Sequence, residues 1–255
     1  MRVRTRTAAG AVALLALAGC STVVAQHQAA VTLPKSTLSP TPTPTRTPTP
    51  TPTRTPDCSR LKCIAITFDD GPSTDTPRLL DMLASYGAHS TFFVLGMNAK
   101  DHTNILRRQI REGDEVGDHT YDHTSLTGLS TARIHQEINS TAKIIESAIG
   151  RPPLLMRPPY GAYDARVAKA VGLPIILWKD DTLDWLHRDS RRVSQVVLKL
   201  ASRNAVILLH DIHPTSVDAM KTILPELKQR GFTLVTVSQL YASRPLKAGK
   251  VYGMN

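Results

Sequence analysis

The chain has 255 residues, 41% of them hydrophobic, which is enough for one globular domain with a sizeable core. Its formal charge of +10 is unevenly placed. Six of the 31 Lys and Arg lie in residues 1–56, which hold no acid, leaving 25 basic against 21 acidic side chains beyond. That mild balance, with no dense Lys/Arg stripe, argues against a nucleic-acid partner, and no apolar run reaches the ~18 residues of a membrane span.

Arg2, Arg4 and Arg6 precede an apolar stretch from Ala8 to Ala18, the pattern of an export signal too short to span a bilayer. It ends in Leu17-Ala18-Gly19-Cys20, which resembles a bacterial lipobox. The resemblance implies a signal peptide over 1–19, cleavage before Cys20 and acylation of its sulfur, giving a lipid-anchored, extracytoplasmic protein; simple secretion is the alternative. Residues 34–56 hold eight prolines, mostly in Thr-Pro repeats. Such a segment buries no core and predicts an extended spacer over 20–56. At ~3.1 Å per residue, its proline-rich part reaches roughly 70 Å. Cys58 and Cys63 follow. In an exported protein with Cys20 lipidated, these two cysteines predict a disulfide that pins the first strand.

Ile64–Phe68 reads as a buried strand, followed at once by Asp69-Asp70-Gly71-Pro72. A helix is expected over 76–86, a strand over Thr91–Leu95, a helix over 104–111 and a short strand at Glu115–Gly117. Ile134, Ile138, Ile145 and Ile149 predict a long helix over 130–149. Further strands are expected at Leu154–Met156, Pro174–Trp178, Ala205–Leu209 and Thr233–Val237, with helices at 164–171, 191–202 and 216–230. Gly231 fits the position just past the last helix. The β-α alternation, about seven times over, predicts an α/β fold with a parallel sheet under helices. Polar residues cluster just after the strands: Asp69 and Asp70, His119 and His123, Arg157 and Tyr160, Asp181 and Asp184, and His210. Functional residues of β/α barrels sit at the C-terminal ends of strands, so these clusters point to one polar barrel mouth. No glycine-rich nucleotide loop is present.

His119 and His123 are four residues apart, a spacing at which one helical turn presents both imidazoles to one cation. Asp70 can supply a third ligand. Beside it, Asp69 is a second acid, and two adjacent carboxylates stay charged only with a cation or separate partners. A site of two histidines and one aspartate with positions left open is a catalytic arrangement, not a closed structural one.

Five motifs occur in order: Thr67-Phe68-Asp69-Asp70-Gly71-Pro72; His119-Thr-x-x-His123; Arg157-Pro-Pro-Tyr160; Asp181-x-x-Asp184-Trp185; and Leu208-Leu209-His210-Asp211. Together they resemble the polysaccharide deacetylases of carbohydrate esterase family four, over about residues 62–241. The resemblance implies a distorted (β/α)7 barrel, a catalytic domain over 57–245 with a tail at 246–255, and hydrolytic removal of acetyl groups from a polysaccharide. It implies one divalent ion, Zn2+ or another such as Co2+, held by Asp70, His119 and His123. Asp69 would be the general base and His210 the general acid. The backbone N–H of Tyr160 would meet the oxyanion. Trp185 and Leu208 would wall the acetyl methyl group, and Arg157 would balance Asp69. Asp184 would fix either His210 or Arg157, and the sequence leaves both open.

Trp178 is expected in the core, His213 in a supporting role, and Tyr121 is left between sugar contact and none. His27, His89, His102, His135 and His187 have no partner motif. Asp180 stands where the family usually has an apolar residue, and Asn204 where glycine is common. The lipobox and spacer favour a substrate held near the cell, namely the N-acetyl groups of peptidoglycan. An acetylxylan esterase, a chitooligosaccharide deacetylase and a catalytically silent wall-binding lipoprotein are the rivals. The expected partners are the acetylated polysaccharide and, through the lipid only, a membrane, with the chain acting as a monomer.

Overall fold

The computed structural model describes residues 55–179 and 181–254. The expected signal peptide, Cys20, nearly all of the Thr/Pro spacer, His27 and Asp180 lie outside the described residues.

The strands are β1 (Lys62–Asp69), β2 (Thr91–Val94), β3 (Glu115–Asp118), β4 (Ile175–Ile176), β5 (Val206–His210), β6 (Phe232–Leu234) and β7 (Val251–Tyr252). The helices are α1 (Thr76–Tyr86), α2 (Gly96–Ala99), α3 (Thr103–Glu112), α4 (Thr131–Ile149), α5 (Ala165–Val171), α6 (Asp184–His187), α7 (Ser190–Leu200), α8 (Pro214–Gln229) and α9 (Val237–Leu240).

All strand pairs are parallel. β1 lies at the centre, pairing with β5 along Ala65–Asp69, with β2 along Thr67–Asp69, and with β6 along Lys62–Ile64. β2 continues to β3. Single-residue bridges then carry the sheet round: Met156 joins Asp118 to Ile175 of β4, and Asp181 bridges to Leu208 of β5. The result is the expected distorted barrel. The strand expected at Leu154–Met156 shrinks to its Met156 bridge. Pro152 and Pro153 precede it and Pro158 and Pro159 follow, and proline has no N–H to extend a ladder.

Alternation along β1 sorts its side chains. Ile64, Ile66 and Phe68 pack outward with Leu79, Leu80 and Leu83 of α1 and Ile223 and Leu224 of α8. Cys63 and Ala65 point inward with Phe93, Ile176, Val206 and Val235. Thr67 and Asp69 continue the inward phase, so the barrel interior turns from apolar to polar toward the strand ends. Cys58 and Cys63 are bonded, with their Cα atoms 5.5 Å apart. Asn204 adopts φ 66°, a left-handed conformation that asparagine tolerates better than other non-glycine residues.

The segment expected as a tail is part of the sheet. β7 pairs in parallel with β4. The Ile175 N–H donates to the Lys250 carbonyl at 2.9 Å and the Leu177 N–H to that of Tyr252 at 2.8 Å. A strand of two residues is too short to leave a pattern in the sequence. Removing residues 250–255 should leave these two donors unsatisfied and lower stability by about 2–4 kcal/mol in urea unfolding.

Candidate active site

The inward residues of β1 and β5 are register partners: Thr67 with Leu208, and Asp69 with His210. Paired positions on adjacent strands share a face. Asp69 and His210 therefore rise together at the barrel mouth, with Leu208 one layer below.

Arg157 fills the space between the strands. The Met156 bridge places it, since the Arg157 N–H donates to the Asp118 carbonyl at 2.9 Å. Its side chain is fully buried. Nη1 donates to Asp69 Oδ1 and to Thr67 Oγ1, each at 2.8 Å, and Nε donates to the Ile176 carbonyl at 3.0 Å. The guanidinium lies 4.3 Å over Phe93 and 5.5 Å over Trp178, so Trp178 belongs to the barrel packing. Burial pulls the Arg157 pKa down, and the neighbouring Asp69 charge opposes that pull.

Asp70, His119 and His123 converge, with one donor atom from each lying within 4.8 Å of the others. Both Nε2 atoms are 3.4 Å from Asp70 Oδ1. The two histidines do not share a helical turn, as their spacing suggested. They sit in the loop after β3, bent by left-handed backbone at Thr120 (φ 70°) and His123 (φ 66°). The loop is pinned from several sides: the Thr120 N–H donates to Asp118 Oδ1, the Gly96 N–H to the Thr120 carbonyl and the Tyr121 N–H to Glu137 Oε2. Asp118 is wholly buried, and burial pushes its carboxyl up to about 8. Tyr121 stands beside Gly96 of α2.

The triad fits a divalent ion. Asp70 Oδ1 is buried without a hydrogen-bond partner, although both imidazoles face it. His119 Nδ1 lies 2.6 Å from the Arg157 carbonyl. A carbonyl only accepts, so Nδ1 carries the proton there and Nε2 is the ring nitrogen left facing Asp70. This is the orientation a ligating histidine needs.

Asp184 settles the question of its partner: it serves His210. Its Oδ1 lies 2.8 Å from His210 Nδ1, and its Oδ2 accepts from the His210 N–H at 2.8 Å and from Ser216 Oγ at 2.5 Å. Burial works against the His210 charge, but Asp184, Asp69 and Asp70 outweigh it and raise the pKa to about 9. His213 is buried with its ring 5.7 Å from that of His210.

Tyr160 and Trp185 stand at the rim, 71% and 45% exposed. Tyr160 has φ 61° and sets its ring 4.7 Å from that of His123. Asp181 shapes the turn before α6: Oδ1 accepts from the Leu183 N–H at 2.8 Å and Oδ2 from Trp185 Nε1 at 3.4 Å. Thr182 Oγ1 donates to the Leu208 carbonyl at 2.7 Å, tying the same loop to β5.

The sequence profile of the family described as Polysaccharide deacetylase matches residues 57–175. A solved structure described as T48 deacetylase with substrate is 43% identical, covers 77% of this chain and 98% of its own, and superposes with a TM-score of 0.75. The chain belongs to the polysaccharide deacetylase family. It is 42% identical over 198 residues to the peptidoglycan-N-acetylglucosamine deacetylase PgdA of Listeria monocytogenes, matching 77% of this chain and 42% of that one. It is also 42% identical over 180 residues to the peptidoglycan-N-acetylmuramic acid deacetylase PdaC of Bacillus subtilis, matching 70% and 38%. The chain thus spans about two fifths of the length of these two relatives. For PdaC the solved structure is 41% identical, covers 73% of this chain and 92% of its own, and gives a TM-score of 0.71.

The roles of several site residues leave no mark in the sequence. Thr67 and Ser216 are single hydroxyls whose roles depend on partners 90 and 32 residues away. Asp211 stands in a motif without a role read for it. Its buried carboxylate accepts from Thr76 Oγ1 at 2.5 Å, and its carbonyl accepts from Ser73 Oγ at 2.8 Å. These bonds tie the β5 loop to the turn that bears Asp69 and Asp70. A Cβ on Gly71 would lie 2.3 Å from Asp211 Oδ1. Gly71→Ala should therefore destabilise the domain by about 1–3 kcal/mol. Asp211→Ala, which removes the clash, should cost less stability in the Gly71→Ala background than in the wild type in thermal unfolding, and strictly additive losses would show that the two residues do not meet.

Proposed function

We propose that this protein removes N-acetyl groups from peptidoglycan glycan strands, using one divalent ion with Asp69 as base and His210 as acid. One observation carries the reading. A carboxylate held by a buried arginine and an imidazole held by a buried aspartate occupy paired positions on β1 and β5, beside a ligand triad whose central oxygen lacks a hydrogen bond. The names of the PgdA and PdaC relatives support the wall glycan as substrate. The Arg-led apolar stretch, the lipobox at Cys20 and the Thr/Pro spacer support export and lipid anchoring facing the wall.

Asp70, His119 and His123 would hold the ion, Zn2+ or a similar divalent cation. Bound there, it supplies Lewis-acid polarisation of the acetyl carbonyl and acidifies a water molecule. Asp69 takes the proton of the attacking water. The Arg157 pair keeps Oδ1 occupied and turns Oδ2 toward the triad, 3.6 Å from His119 Nε2. The Tyr160 N–H donates to the oxygen that gains charge. His210 gives its proton to the leaving nitrogen, and Asp184 fixes the tautomer by accepting at Nδ1, leaving Nε2–H to act. An amide needs this proton because its amine leaves poorly as an anion. Trp185 and Leu208 bound the acetyl methyl group.

Acetate release from peptidoglycan by the ion-loaded protein tests the activity. His119→Ala should cut both the bound ion and the acetate released at least tenfold; full ion content in that variant would overturn the triad.

The acid role sets a pH dependence. His210 is charged below about 9 and neutral above it, so a step that needs its proton fails as pH rises through that value. Asp184→Asn removes the charge that raises the pKa, so the basic limb of kcat should move to lower pH. A limb that stays in place would assign it to another group.

A further inference from the structure

Between Asp181 and Ser190 the chain forms a loop at the rim. Leu183 (φ 53°) and Arg188 (φ 47°) flank α6 with left-handed backbone. Glycine takes this conformation freely and arginine does not. Helices commonly stop on a glycine in this conformation, and here an arginine takes that place.

The Arg188 side chain is exposed but anchored. Its Nε donates to the Trp185 carbonyl at 2.6 Å, which leaves the two terminal nitrogens of the guanidinium free of this bond. The three acids of the loop are committed elsewhere. Asp181 accepts from Leu183 and Trp185, Asp184 from His210 and Ser216, and Asp189 from the Arg192 N–H. Among the described residues no carboxylate forms an ion pair with Arg188. Its charge acts on His213, whose pKa is lowered by burial first and by Arg188 next, and the tilted His213 ring lies 5.7 Å from that of His210. Around it, Leu183, Trp185 and Leu186 expose apolar surface. The loop thus offers one anchored cation without an ion pair among apolar side chains, at the end of the short helix whose first residue, Asp184, holds His210.

We propose that Arg188 binds a carboxylate on the glycan, so that the site prefers acetylated strands carrying a carboxylate-bearing side group over neutral ones. This rests on the deacetylase reading for the orientation of substrate, and it names the substrate class within that reading. A short alkyl group ending in a carboxylate, such as the lactyl ether of a muramoyl sugar, matches the apolar lip and its cation. Chitin and an unsubstituted xylan backbone offer no such group. The guanidinium fork suits a carboxylate better than an ammonium would.

The test compares two ligands: peptidoglycan strands stripped of stem peptides, which bear free lactyl carboxylates, and the same strands with those carboxylates converted to methylamides. Binding to the ion-loaded protein is measured by calorimetry at low salt, and acetate release is followed in parallel. The wild type should bind the carboxylate form about three- to fivefold tighter, the scale of one exposed ion pair. Arg188→Gln should bring the ratio to about one, Arg188→Lys should restore part of it, and high salt should shrink it in the wild type. A ratio of one in the wild type, or an undiminished ratio in Arg188→Gln, overturns the proposal while leaving deacetylation standing. An Arg188-dependent ratio without any acetate release upholds carboxylate binding and overturns the deacetylase reading.

Discussion

The buried guanidinium of Arg157 is the constraint on which the site depends. A charge with no solvent access must be paired and have its donors satisfied, and losing one partner costs about 3–5 kcal/mol. Here Asp69, Thr67 and the Ile176 carbonyl share that task. The pairing explains why Thr67 interrupts the apolar interior of β1, and why the chain must bring Met156 into the sheet between β3 and β4. It also fixes Asp69: one carboxylate oxygen is held from below, and the other faces the mouth. The Arg157 carbonyl meanwhile sets the ring of His119. One residue thus orients both the candidate base and a candidate ion ligand.

A second assembly holds the candidate acid. Asp184, Ser216 and Thr182 gather around His210 from α6, α8 and the loop before α6. The two assemblies meet through the β1–β5 ladder, through Thr67 Oγ1, which donates to the Ile207 carbonyl, and through Asp211, whose contacts with Thr76, Ser73 and Gly71 bind the two loops together. The chemistry therefore comes from neighbouring strands in fixed register, with support arriving from helices on the outside of the barrel.

The chemistry-bearing residues were legible in the sequence because each follows a recognisable strand. Asp69 and Asp70 stand between a β-branched run and a Gly-Pro turn, and His210 directly follows an apolar strand. The helix at α4 was readable from its apolar spacing, which matches the buried face at Ile134, Ile138 and Ile145. What stayed hidden has physical reasons. β7 pairs through two residues, below the length at which alternation can register. The bend that joins His119 to His123 uses left-handed backbone at threonine and histidine, where sequence gives no signal that glycine would. The choice of Asp184 between His210 and Arg157 depended on which loop crossed β5, a property of topology and not of spacing.

The ladder between β1 and β5 also separates what can vary from what cannot. Asp69 and His210 are spaced by backbone hydrogen bonds, and slipping their register by one residue would turn every side chain of a strand to the other face. That spacing is therefore insulated from substitution at the rim. The loop carrying Leu183, Trp185 and Arg188 is tied to the ladder through Thr182, the Asp181 bridge and Asp184, which leaves the exposed side chains of Leu183, Trp185 and Arg188 outside those bonds. Substitution among a few exposed side chains can thus change the charge and shape that the rim presents while the spacing of Asp69 and His210 is inherited intact.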